Sequence, residues 1–234
     1  HADPRTGEIF DADIGVSHGF TRPARLLAFD ELIKSSHHDE VCQDAHTSAE
    51  ELNYALDLLE VRGIELDGPE ADALANAWLK RTVMHEVGHT IGLRHNFKAS
   101  SLYDLKTLQN PEFTKLNGMT SSIMDYIPFN LSLKSEKQGE YVMSTIGPYD
   151  YWAVEYGYKE FQSGQEDLGL AQILAKSVQN QNQFDTDEDA GSGPLLGIDP
   201  LVNRWDLGSD PLAYYKTRVK LSRELWDRLQ ITTL

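Results

Sequence analysis

With 234 residues, 40% of them hydrophobic and 25% charged, the chain has the balance of a globular protein, not a disordered or fibrous one. That length suits one sizeable domain or two lobes sharing a cleft. Its 21 basic and 37 acidic side chains give a formal charge of -16, a field that repels phosphate backbones and anionic lipid, so nucleic acid is excluded as an expected partner. The longest apolar stretches, such as Leu26 to Phe29 and Leu56 to Leu59, fall far short of the roughly 20 residues of a membrane span, and the lone Cys42 excludes an internal disulfide.

In chain order, the partly alternating stretch Gly7 to Val16, with Ile9, Ala12, Ile14 and Val16 apolar, predicts a strand after a Pro-Arg-Thr-Gly turn. His18 to His46, mixed with Gly, Pro and Ser, predicts irregular structure. Thr47 or Ser48 reads as an N-cap, followed by Leu52, Ala55, Leu56 and Leu59 at helical spacing up to Gly63. Gly68-Pro69-Glu70 opens a second helix through Leu74, Ala77, Trp78, Arg81 and Met84 that runs straight into His85. Beyond Gly92 the pattern breaks into short pieces around Leu102, Leu105 and Leu108. Pro148 to Tyr158 and Pro211 to Leu229 then read as helices, and the polar run Gln179 to Gly197 as loop.

The strongest signal is His85-Glu86-Val87-Gly88-His89-Thr90-Ile91-Gly92-Leu93-Arg94-His95. Four residues apart on a helix, His85 and His89 share a face about one turn apart, so two imidazoles can grip one ion. Glu86, beside the first ligand, is placed to hold and deprotonate a zinc-bound water. Gly92 permits the positive φ that ends a helix sharply and lets the chain return His95 as a third ligand. Three imidazoles leave a coordination position for water, the pattern of a catalytic site and not of a closed structural one.

These eleven residues resemble the long zinc signature of metzincin metallopeptidases, and Ser122-Ile123-Met124-Asp125-Tyr126 resembles their Met-turn. A finer likeness, to a poorly characterised bacterial branch, is carried by Asp3-Pro4-Arg5-Thr6-Gly7-Glu8-Ile9, by Leu93-Arg94-His95-Asn96-Phe97-Lys98 and by Gly147-Pro148-Tyr149-Asp150-Tyr151-Trp152-Ala153. The resemblance implies an α+β, two-lobed domain: a small twisted sheet with an active-site helix and a backing helix in residues 1–95, then a mostly irregular and helical lobe with the Met-turn in residues 96–234. It implies Zn2+ held by His85, His89 and His95, Met124 as a hydrophobic floor beneath them, and Tyr126 near the metal, as in the astacin and serralysin branches. Only 84 residues precede His85, fewer than metzincins place there, so the chain is expected to be a piece of a longer protein with upstream domains. Asn96 stands where better-known branches carry Asp, Glu, Ser or Thr. An exported, secreted or periplasmic setting is expected from the resemblance alone.

The implied reaction is hydrolysis of a peptide bond in a peptide or protein substrate, with Glu86 as general base and Tyr126 stabilising the oxyanion. Glu8 to Val16 would serve as the cleft's edge strand, and Pro128 and Phe129 would shape the pocket beside the cut. Two other classes stay open: an inactive zinc-binding interaction module and a hydrolase of non-peptide amides. Weaker features read as surface. His37, His38 and His46 with Asp39 and Glu40 lack ligand spacing. Asp185, Asp187 and Asp189 suggest calcium, but Ala190 and Leu196 stand where an EF-hand needs Gly and Glu, so an acidic surface loop is expected. Asn130-Leu131-Ser132 matches a glycosylation acceptor only formally.

Overall fold

The computed structural model describes residues 1–15, 43–65, 68–190 and 197–232, and in them it is helical. Helix α1 spans Gln43–Val61 and α2 spans Pro69–Thr90. Two short helices follow, α3 at Leu105–Leu108 and α4 at Pro111–Asn117, then α5 at Pro148–Tyr158, α6 at Glu166–Leu174 and α7 at Pro211–Thr232. Three 3-10 turns, Ala99–Leu102, Ala175–Val178 and Asn180–Asn182, join them.

Helix α1 already includes residues 43–46, about one turn before the Thr47 or Ser48 cap that its sequence suggests, because nothing in Gln43-Asp44-Ala45 breaks a helix. It stops at Gly63, whose φ of 95 lets Ile64 N–H return to Leu59 O. In α2, Pro69 occupies the first turn with Glu70 and Asp72, which favour the positive end of the helix dipole. Its buried residues Ala71, Leu74, Trp78, Arg81, His85 and Gly88 advance by three and four, a single stripe facing inward. The first metal-ligand candidate therefore sits on the core stripe of its own helix.

That stripe meets a core of Leu52, Ala55, Leu56, Leu58 and Leu59 from α1, Phe129, Leu131 and Val142 from the long connection, and Leu221 from α7. Trp78 stacks on Phe129 with centroids 4.5 Å apart, and each such fully buried side chain contributes about 1.5–3 kcal/mol by leaving water. Across α1 and α7, Arg62 grips both oxygens of Glu224 at 2.9 and 2.8 Å and also donates to Ser132 O. Residues on both sides of position 95 thus share one core. A second cluster, Leu108, Met119, Ile123, Met124, Ile127, Met143, Leu207 and Tyr214, lies under the Met-turn.

The sheet is where expectation and structure part. Among the described residues there is no strand, only one antiparallel bridge between Ala2 and Ile9. The strand expected over Gly7 to Val16 is replaced, through residue 15, by a turn and irregular chain. Gly7, at φ 75, closes a loop in which Gly7 N–H bonds to Asp3 O, Asp3 N–H bonds to Glu8 O and Arg5 pairs with the Asp3 carboxylate. The alternation of apolar residues does not mark a buried face here, since Ile9 and Phe10 are exposed. Helix α6 was not legible as a helix; Gly169 interrupts its pattern, and the ring of Phe161 packs where a side chain at 169 would stand. His37, His38, Asp39 and Glu40 lie outside the described residues, and His46 falls within α1. Asn130 is buried and donates to Leu108 O and Glu140 O, so its glycosylation motif is not exposed. No described helix is long and apolar enough to cross a membrane.

Candidate metal centre

The three histidines converge because α2 ends where it does. Ile91 caps the helix and Gly92, at φ 89, turns the chain. Leu93 N–H then reaches Gly88 O and Gly92 N–H reaches His89 O, the paired bonds of a left-handed C-terminal cap. Three residues on, His95 faces His85 and His89, and one ligand atom from each lies within 4.8 Å of the others. Ring centroids stand 4.8 Å apart for His85 and His89, 5.3 Å for His85 and His95, and 4.8 Å for His89 and His95.

Each ring is fixed from behind. Nδ1 of His85 donates to Ile123 O at 2.9 Å, Nδ1 of His89 to Leu93 O at 2.9 Å, and Nδ1 of His95 to both oxygens of Asp187 at 3.0 Å. With the proton on Nδ1, every Nε2 presents a lone pair. The Nε2 atoms of His89 and His95 are 3.1 Å apart, close enough for both to reach one ion. Nε2 of His85 is buried with no hydrogen-bond partner among the described residues. Burial, seconded by the charge of Arg81, pushes the His85 imidazole down to about 2, so it stays neutral and able to ligate.

Tyr126 closes one side. Its hydroxyl donates to His95 Nε2 at 2.7 Å, and its ring packs against His85, His95, Phe97 and Trp205. On the other side Glu86 and His89 border a cleft of about 580 Å³ with Thr82, Val83, Thr90 and residues 12–15. Along α2, positions 82, 86, 89 and 90 form the stripe next to the buried one, so one helix gives its core face to His85 and its cleft face to Glu86.

A family profile described as Met-zincin matches residues 67–234. The chain belongs to the Met-zincin family. No curated protein and no solved structure matches the chain. Membership implies a zinc metallopeptidase, and the histidine triad is consistent with zinc binding.

The donors of this Met-zincin fit zinc: three imidazoles with converging Nε2 atoms, that of His85 buried without a partner among the described residues, and each ring held at Nδ1 by an oxygen acceptor. Met124 is fully buried and its Sδ lies 2.2 Å from where a Cβ at Gly88 would stand, so the Met-turn packs against bare helix backbone between the first two histidines. Gly88→Ala is therefore expected to destabilise the fold by about 1–3 kcal/mol through overpacking, despite a gain of about 1 kcal/mol in helix propensity. Denaturant unfolding checks this; unchanged stability would mean that Met124 gives way freely.

Several residues of the Met-zincin site escaped the sequence reading of roles. Asp150 on α5 accepts from Ser122 Oγ at 2.6 Å, Ile123 N–H at 2.8 Å and Gly147 N–H at 2.8 Å, clamping the Met-turn. Burial raises its carboxyl against the pull of those three bonds. A Cβ at Gly147 would lie 2.2 Å from Ser121 O, which explains the Gly of Gly147-Pro148. Arg81, buried one turn before His85, donates to Asp125 O and ties α2 to the Met-turn backbone. The Asp185 to Asp189 segment is not merely an acidic surface loop, because Asp187 is bonded to His95 and to Arg204 Nη2 at 3.0 Å. Trp205, the one non-glycine residue with positive φ among those described, at 63, donates its N–H to Tyr126 O at 2.7 Å and stacks on the Tyr126 ring.

Proposed function

We propose that the protein is a zinc-dependent endopeptidase in which His85, His89 and His95 hold the metal, Glu86 is the general base and Tyr126 stabilises the oxyanion. The observation that carries the reading is the convergence of three Nε2 lone pairs beside a cleft that also receives Glu86. Zinc, when bound, supplies Lewis acidity to the scissile carbonyl and lowers the pKa of water to about 7. Glu86 takes a proton from the attacking water and delivers it to the leaving amine. The Tyr126 hydroxyl, already directed at the ligand cluster, donates to the oxygen on which negative charge develops. Substrate lies along the α2 face lined by Thr82, Glu86 and His89, with residues 12–15 as the opposite wall. The division into lobes at residues 95 and 96, upstream domains and an extracytoplasmic setting belong to the same reading.

Metal analysis after zinc loading is expected to find one zinc per chain, lost in His95→Ala and kept in His46→Ala. Incubation of a diverse peptide library, with and without chelator and read by mass spectrometry, is expected to show chelator-sensitive internal cleavage. Zinc without cleavage of any peptide or amide would indicate an interaction module. Cleavage confined to small amides would indicate a non-peptide hydrolase, and no zinc at all would overturn the reading.

A further inference from the structure

Of the three rings, two are oriented by backbone carbonyls, which no substitution removes, whereas His95 is oriented by a side chain 92 residues further along. That side chain, Asp187, arrives on a strap laid across residues 94–97. Phe97 N–H bonds to Asp185 O at 2.8 Å, Asn96 Nδ2 donates to Gln183 O at 3.0 Å, and Arg94 reaches both oxygens of Glu188 at 2.8 Å. Asn96 is fully buried, and its backbone N–H bonds to Met124 O at 3.1 Å. This residue type directly after the third histidine thus joins the strap to the Met-turn. Behind the strap, Arg204 donates to Asp187 Oδ1 at 3.0 Å while its guanidinium lies over the Phe97 ring at 4.7 Å.

The geometry points to Asp187 as the positioning residue of the third metal ligand, supplied by a strap of residues 183–188 and held in place by Arg204. The inference rests on the zinc reading of the site. A carboxylate on His95 Nδ1–H fixes the tautomer, locks the ring against rotation and makes Nε2 a stronger donor toward the metal. Asp187 is not itself a ligand, since both its oxygens lie on the Nδ1 side of the ring, away from Nε2. Nor is it an open calcium ligand, being engaged by His95 and Arg204. The part of the chain after α5 therefore completes the metal centre and does not merely follow it.

The test is zinc affinity of the full chain, measured by competition with a chromogenic chelator, for the wild type, Asp187→Ala, Asp187→Asn, Glu188→Ala and His95→Ala. Loss of the carboxylate that holds His95 Nδ1 is expected to weaken zinc about 10–100-fold in Asp187→Ala. Asp187→Asn keeps the shape and a neutral acceptor and is expected to lose less; it also carries the test should the Ala variant fail to fold by circular dichroism. Glu188→Ala removes only an exposed ion pair from the same strap and is expected to bind as the wild type does. Wild-type affinity in both Asp187 variants, or equal losses in Asp187→Ala and Glu188→Ala, would overturn the inference while the zinc reading stands. Absence of zinc from the wild type would overturn both.

Discussion

Glu86→Ala is expected to keep its zinc and lose turnover. Position 86 lies one residue past His85, rotated about 100° around α2, so it leaves the buried stripe of Arg81, His85 and Gly88 and enters the cleft stripe of Thr82, Glu86 and His89. None of the three ring nitrogens that converge belongs to it, and none of the bonds that orient those rings involves it. Truncation therefore removes the proposed proton carrier and leaves the three histidines and their hydrogen-bond partners intact. A positioned acid–base group contributes about 10²–10⁴ in rate, which is about 2.7–5.4 kcal/mol of barrier at 1.36 kcal/mol per tenfold. Metal analysis together with kcat on a peptide from the cleavage screen decides the matter. A variant with full zinc and full activity would show that another group takes the proton; one that loses zinc as well would place Glu86 among the groups that hold the metal.

What could be read in advance follows from how local each determinant is. The helix that carries His85 and His89 is encoded within itself, by Pro69 at its start, the helical spacing of Leu74, Trp78 and Arg81 and Gly92 at its end; the structure buries those three side chains, while Ala77 and Met84 of the same pattern are only half-buried. The histidine triad was legible for the same reason, since two ligands share one helix face and the third follows a glycine turn of fixed geometry. Asp187, Asp150 and Arg204 act on the site only through tertiary contacts, across 92 residues in the case of Asp187 and His95, and no periodicity reports that. Apolar alternation over Gly7 to Val16 misled because it marks a strand only where one face is buried, and Ile9 and Phe10 are exposed. For the acidic run at 185 to 189, the mismatch of Ala190 and Leu196 to an EF-hand argues only against calcium, and cannot tell a solvated carboxylate from one that a histidine and an arginine engage.

Tyr126→Phe is expected to lower kcat by about 10- to 10³-fold with KM little changed and zinc still bound. The ring is held on several sides, at 5.2 Å from His85, 4.6 Å from His95, 5.3 Å from Phe97 and 5.6 Å from Trp205, and phenylalanine preserves each of those contacts. Its backbone carbonyl stays bonded to Trp205 N–H in either case. The substitution thus deletes the hydroxyl and leaves the fold. That hydroxyl donates to His95 Nε2 at 2.7 Å; if that nitrogen ligates zinc as proposed, the phenol would have to change partner. A developing oxyanion in the proposed reaction would offer it one. Because this bond gains its strength as charge appears, its loss falls on the transition state more than on bound substrate, which separates kcat from KM. An ordinary structural tyrosine would instead lower stability and leave kcat unaltered, and that pattern, read by steady-state kinetics beside thermal unfolding, would remove Tyr126 from the mechanism.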